Sequence, residues 1–182
     1  MGDTESGTTF EAVVLKHLDA AHNLARWLTR DPHDAEDVVQ QACLRAFRYF
    51  NGFRGDNGRA WLLAIVRNTF HTWLTQNRQD HTSVEYDEAS IGLEQVEASR
   101  EDHLHGTDPE KLVLRAADQR LVEAAMLQLP AEFREILVLR ELEELSYKEI
   151  AEIVGVPLGT VMSRLSRARA RLRVEIEARD AR

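Results

Sequence analysis

The segment that most constrains this chain runs from Leu145 to Leu165. Ser146 and Glu149 have the S-x-x-E spacing of a capping box, in which each side chain satisfies a backbone donor of the first turn, so a helix starts here. Leu145 and Ile150 stand at the flanking staple positions. Ile150, Ala151, Ile153 and Val154 give that helix a buried face. Gly155 is a natural left-handed stop, and Pro157 fits the first turn of a second helix. There Val161, Leu165, Ala168 and Leu172 recur at helical spacing and face inward. Ser163, Arg164, Ser166, Arg167, Arg169, Arg171 and Arg173 are left mostly outward. Two short helices about a tight glycine turn, the second one basic, form the geometry that lays a helix in a DNA major groove. The alternative is a plain solvated helix face. Five Arg and no acid between residues 164 and 173, in a chain of formal net charge −8, favour nucleic acid.

That net charge opposes DNA binding until it is divided along the chain. Residues 1–79 hold nine acids and nine Lys or Arg, and residues 111–182 hold twelve acids and thirteen Lys or Arg. Residues 80–110 hold ten acids and Arg100 alone. The excess negative charge therefore lies in one middle segment, and the overall isoelectric point misleads about partners.

At 182 residues the chain is one domain or two small ones. Hydrophobic content of 43% suffices for packed cores. The single cysteine, Cys43, excludes an intrachain disulfide and suits a reducing compartment. Residues 1–9 are polar, with no apolar signal core, and no stretch approaches membrane-spanning length. A soluble, cytoplasmic protein without membrane insertion is expected. No Gly-rich phosphate loop, nucleophile elbow or HExxH pattern is present, so no enzyme is expected. His81, His103 and His105 lie in the acidic segment without a second cysteine or well-spaced partner, so neither metal nor cofactor is expected.

The periodicity predicts an all-α chain. A first helix spans Phe10 to Leu28, with Phe10, Val13, Val14, Leu18, Leu24, Trp27 and Leu28 at helical spacing, and Asp31-Pro32 breaks it. A second helix has Asp34 as N-cap and runs to about Phe50, with Val39, Cys43, Ala46 and Phe50 on one stripe. Residues 51–58 form a loop by composition. A third helix covers about Arg59 to Asn77, with Leu62, Ile65, Val66, Thr69 and Trp73 on one side. Residues 80–110 read as a flexible linker. Helix resumes at Asp108-Pro109 and runs to about Gln128; Pro130 opens another through about Glu143, and the helix-turn-helix follows. The expected domains are 1–79 and 111–182, joined by the acidic linker 80–110.

Both halves resemble the small two-domain sigma factors of bacterial RNA polymerase, the extracytoplasmic-function (ECF) group. The first resembles their region 2 through residues 34–40, Leu44-Arg45-Ala46-Phe47, Phe53-Arg54-Gly55-Asp56, Arg59-Ala60-Trp61-Leu62 and Arg67-Asn68-Thr69. The second resembles region 4 through Leu129-Pro130, Arg134-Glu135, Leu142, Leu145-Ser146-Tyr147, Gly159-Thr160-Val161, Ser163-Arg164-Leu165 and Arg167-Ala168-Arg169. Both halves in this order are far more specific than either alone.

The resemblance implies that region 4 reads the −35 promoter element as duplex, through Arg140, Thr160, Ser163, Arg164 and Arg167. Arginine bidentate to guanine is the commonest specific base contact. An ion pair of Arg140 with Glu143 or Glu144 is the alternative for that residue. Met162 departs from the basic residue common in relatives, which implies a different preference at one base. Region 2 is implied to open the −10 element. The loop from Phe50 to Gly58 corresponds to the family's base-capturing loop, and Phe53, Arg54, Asp56, Arg59, Trp61, Arg67 and Asn68 are its candidate contacts. Extruding a base costs roughly a few kcal/mol, and stacking it on an aromatic returns about 1–3 kcal/mol. Trp61, Phe70 and Trp73 are the aromatic candidates, with plain core packing as the alternative for Trp61 and Trp73. The helix from Asp34 to Phe50 is implied to dock on the polymerase β′ clamp through Asp37, Gln40, Gln41 and Arg45, and region 4 on the β flap. Core polymerase, promoter DNA and an anti-sigma factor are the partners so implied. An autonomous helix-turn-helix regulator, whose first domain senses a ligand or dimerises, is the competing reading.

Overall fold

The computed structural model describes residues 9–55, 57–80 and 109–180, without the side chains of 78–80 and 109–117. All regular structure among them is helical. The linker expectation, Asp56, Asp108 and the histidines His81, His103 and His105 lie outside the described residues.

The first domain is α1 (Phe10–Val14), α2 (Leu18–Thr29), α3 (Pro32–Tyr49) and α4 (Gly58–Asp80). The helix expected to run unbroken from Phe10 to Leu28 is interrupted by a 3₁₀ turn at Leu15–His17, where His17 leaves helical dihedrals at φ −120° and ψ 12°. The break lets α1 cross the start of α4. There Val13 packs onto the bare Cα of Gly58, and any Cβ at that position would collide with the Val13 side chain. The α3 N-cap is Asp31, not Asp34. Its Oδ1 accepts from the backbone of His33 (2.8 Å) and Asp34 (3.0 Å), and Pro32 takes the first helical position, where its missing N–H is no loss. Asn57 caps α4 by accepting from the Ala60 N–H at 3.0 Å, so that helix begins at the last residue of the glycine-rich loop.

The second domain is α5 (Pro109–Leu127), α6 (Ala131–Leu137), α7 (Tyr147–Val154) and α8 (Leu158–Asp180). The helix opened after Pro130 does not stay α-helical to Glu143. It loosens into a π-type turn over Val138–Leu142, closed by the Glu143 N–H reaching Val138 O at 2.9 Å. Glu144 then adopts left-handed dihedrals (φ 52°), and the Leu145 N–H returns to Leu139 O at 3.0 Å. The helix-turn-helix forms as its residues require. Ser146 Oγ accepts from the Glu149 N–H while the Glu149 carboxylate accepts from the Ser146 N–H. Gly155 is left-handed (φ 71°), and the Val156 N–H reaches back to Ala151 O. Leu145, Ile150, Ile153, Val154, Val161, Leu165 and Ala168 are buried.

Within each domain the helices pack pairwise: α2 on α3 and α4, and α8 on α5, α6 and α7. The two domains also pack on each other, α4 against α7 and α2 against α6. Their buried apolar residues form one continuous cluster, from Leu24 and Leu63 to Ile136 and Ile150.

Candidate nucleic-acid interface

The basic helix α8 holds its inner stripe against the domain core and turns its polar residues out. Ser163 and Arg167 are exposed one turn apart. The Ser163 hydroxyl donates to Thr160 O (3.0 Å), and Arg167 Nε donates to Ser163 O (3.3 Å), so the guanidinium lies along the helix with one nitrogen near Ser163 Oγ. Arg164 is half-buried and sits 3.9 Å from the Glu132 carboxylate; Thr160 is half-buried beside it on the first turn. Arg169 forms a pair with Glu141 at 2.6 Å, which raises the guanidinium's pKa through that hydrogen bond. Met162 and Leu158, one turn apart on α8, are about half exposed, an apolar step among these polar groups. Arg140 makes neither of the ion pairs considered for it. Its Nη1 donates to Leu145 O at 2.7 Å and its guanidinium lies over the Tyr147 ring at 4.9 Å. The π-type turn is what points it at the start of α7 rather than at Glu143.

In the first domain, the loop after α3 is an aromatic nest. Phe53 stacks on Phe50 (6.0 Å) and meets Trp61 at 4.8 Å, and Phe10 closes the edge against Phe50 and Phe47. Phe53 and Trp61 are half-buried, while Arg54 is exposed. Phe70 is buried at 3% exposure, so it fills the core and offers no surface; Trp73 stacks over it, half-buried. Asn68 is exposed on α4, and its carbonyl accepts the Thr72 hydroxyl. Arg59 and Arg67, on the same helix, point into the second domain. Arg59 pairs with Glu143, and Arg67 Nε approaches Glu135 Oε1 at 2.7 Å.

On α3, Asp37, Gln40 and Gln41 are exposed, while Arg45 is half-buried and donates to Thr72 Oγ1 at 3.4 Å. Leu44 and Phe47 share their face and are 59% and 67% exposed, with Tyr49 at 68% close by. These apolar residues were missed as docking candidates. Their signal was available: they fall off the buried stripe of Ala35, Val38, Val39, Ala42 and Ala46 at helical spacing.

Arg134 is the other residue whose role the sequence hid. It is 2% exposed, and its guanidinium donates to the carbonyls of Trp27 and Leu28 at the end of α2 and of Leu127 and Leu129 at the end of α5. Burial, then nearby Arg30, lowers its pKa to about 10, so it stays charged at neutral pH. A cation at two helix C-termini answers both dipoles and four carbonyl acceptors, of which Leu129 O is also reached by Arg30.

The family model for sigma-70 region 2 matches residues 13–79, and that for sigma-70 region 4 matches residues 119–172. The RNA polymerase sigma-H factor of Pseudomonas aeruginosa is 34% identical over 168 residues, covering 88% of this chain and 82% of its own. The ECF RNA polymerase sigma-E factor of Escherichia coli is 37% identical over 144 residues, covering 75% and 70%. The ECF RNA polymerase sigma factor SigE of Mycolicibacterium smegmatis is 32% identical over 94% of this chain, which spans 63% of that longer relative. The solved structure of the sigma factor RpoE from Bartonella quintana, in complex with the anti-sigma factor NepR, is 29% identical and superposes with a TM-score of 0.71 over 93% of this chain and 98% of its own. With regions 2 and 4 in order and a shared two-domain helical fold, the chain belongs to the ECF sigma factors of RNA polymerase.

Proposed function

We propose that this chain is a dissociable initiation subunit that selects promoters for bacterial core polymerase, has no catalysis of its own and acts in the cytoplasm. The observation that carries the reading is the pairing of two different nucleic-acid faces on one chain. One is a capped helix-turn-helix with Ser163, Arg164 and Arg167 along its second helix. The other is an aromatic nest of Phe50, Phe53 and Trp61 beside exposed Arg54 and Asn68. The first suits duplex readout at the −35 element, where arginine and serine meet base edges. The second suits a base taken out of the stack at the −10 element, because a ring offers sequence-tolerant stacking and an amide both donates and accepts. Arg59 and Arg67 are assigned to the same −10 strand as phosphate contacts. Arg140, tethered over Tyr147, supports the start of the helix-turn-helix and contacts the DNA backbone.

The exposed face of α3, from Asp37, Gln40 and Gln41 through Leu44 and Phe47, docks on the β′ clamp, and the second domain on the β flap. Leu44 and Phe47 supply the desolvated centre that the polar residues alone lack. An anti-sigma factor holds the chain inactive. No helix among the described residues is long and apolar enough to cross a membrane.

Run-off transcription with purified core polymerase on a library of promoter fragments tests the reading. Specific starts only in the presence of the chain are expected. Polymerase-independent, tight duplex binding with no specific starts would replace it with an autonomous regulator.

A further inference from the structure

We propose that Tyr49, at the end of α3, is a second stacking platform for the promoter strand, holding the unpaired base next to the one taken up by the aromatic nest. Its role presupposes the reading of the first domain as the holder of the −10 strand. Val39, Ala42, Ala46 and Tyr49 lie on one stripe at helical spacing. The first three are buried at 4%, 0% and 0% exposure, and Tyr49 is 68% exposed. The stripe outruns the core by one turn. A ring that the periodicity assigns to the interior thus stands at the rim, where it contributes little to the fold.

What assigns it a ligand is its position. Tyr49 is not part of the face that carries Leu44 and Phe47. At about 100° per residue it lies about 140° around α3 from the first and about 160° from the second. It shares instead the side of Arg45, one turn before it. Arg45 reaches across to α4: its Nη1 donates to Thr72 Oγ1 at 3.4 Å, and the Thr72 hydroxyl donates to Asn68 O at 2.9 Å. Asn68 and Trp61 fall two turns apart on one face of α4. The residue after Tyr49, Phe50, stacks on Phe53 and meets Trp61 at 6.2 Å. Tyr49 therefore flanks, from α3, the face of α4 that carries Trp61 and Asn68. Among the described residues the rings of the nest pair with one another and none pairs with Tyr49.

A planar base suits this ring. When one base leaves the stack, its neighbour loses a stacking partner, and an aromatic beside the capture site replaces it. The contact is sequence-tolerant, because every base has a π-face. Arg48, exposed beside Tyr49, and Arg54, exposed beyond the nest, supply charge for the phosphates between such bases.

The test uses holoenzyme formed from core polymerase and the full chain. It is titrated with promoter DNA, mapped by run-off, whose non-template strand carries one abasic site at a time across the −10 element. On the intact strand Tyr49→Ala is expected to bind roughly 5- to 150-fold more weakly, and Tyr49→Phe as the wild type does. At one position an abasic site is expected to weaken the wild type by the same factor and to leave Tyr49→Ala unaffected. That position should adjoin the one at which Asn68→Ala shows the same insensitivity. Undiminished binding by Tyr49→Ala, or an equal loss at every abasic position, overturns the proposal. So does weakened binding of Tyr49→Ala to core polymerase without DNA, which makes the residue a polymerase contact. Insensitivity of Asn68→Ala at its own position, with none for Tyr49→Ala, leaves the −10 assignment standing and removes Tyr49 alone. Insensitivity of Asn68→Ala at no position removes that assignment and the proposal with it.

Discussion

At the scale of single residues, charge and contact decide more than identity. Arg167 lies exposed along α8, held only by Ser163. Arg167→Ala should weaken −35 binding by about 1–3 kcal/mol if the side chain reads a base; mobility shifts of the polymerase complex on consensus and altered sites measure this, and unchanged selectivity removes Arg167 from the reading set. Met162 is exposed where its resemblance suggested a cation, and the group in the major groove that suits an apolar side chain is the thymine methyl. Replacing each thymine of the −35 element by deoxyuridine should therefore weaken binding at one position, and Met162→Ala should abolish that sensitivity. Arg134 is a structural residue. Arg134→Ala removes the donor shared by the carbonyls of Trp27, Leu28, Leu127 and Leu129, an expected loss of about 1–3 kcal/mol in urea unfolding.

At the scale of elements, the start of α7 carries a pH dependence. The hydrogen bond from the Ser146 hydroxyl, then the one from its N–H, holds the Glu149 carboxyl below its ordinary value of 4.5. A carboxyl depressed in the folded state contributes stability that is present above the ordinary value and lost as pH falls through the lower, folded one. Acid melts of the wild type and Glu149→Gln should thus converge as the pH falls below the ordinary carboxyl value of 4.5. Ser146→Ala should cost about 1 kcal/mol at neutral pH, from loss of the cap. On α4, Asn68 is exposed and its side chain makes no hydrogen bond among the described residues. Asn68→Ala should impair promoter opening while core polymerase binding, by native gel, is retained; equal loss of both would signify a folding defect.

At the scale of the whole molecule, the two domains are joined by contacts far apart in sequence. Arg59 meets Glu143 and Arg134 meets the end of α2, in each case across the acidic stretch 80–110. That stretch carries the excess negative charge of the chain. Deleting residues 86–104 should leave the helical circular dichroism of both domains intact and reduce run-off transcription; undiminished transcription would make the stretch a tether only.

The helix-turn-helix was legible residue by residue because its determinants are local. The Ser146–Glu149 box, Gly155 and the stripe Val161, Leu165 and Ala168 act within a few residues of themselves, so no distant contact was needed to place them. The all-helical class followed from the same periodicity. Asp31-Pro32 does end the helix before it, which stops at Thr29, but the same two residues also cap and open α3, so the N-cap is Asp31 and not the expected Asp34. Only tertiary structure decided the rest. The kink at Leu15–His17 answers the close approach of Val13 to Gly58. Phe70 turned inward because α4 is covered on that side. Arg134 became a double helix cap, and Arg59 and Arg67 found carboxylates, because partners 68 to 107 residues away were brought beside them. Sequence periodicity records which face of a helix is apolar; it holds no record of which other helix will meet the charged one.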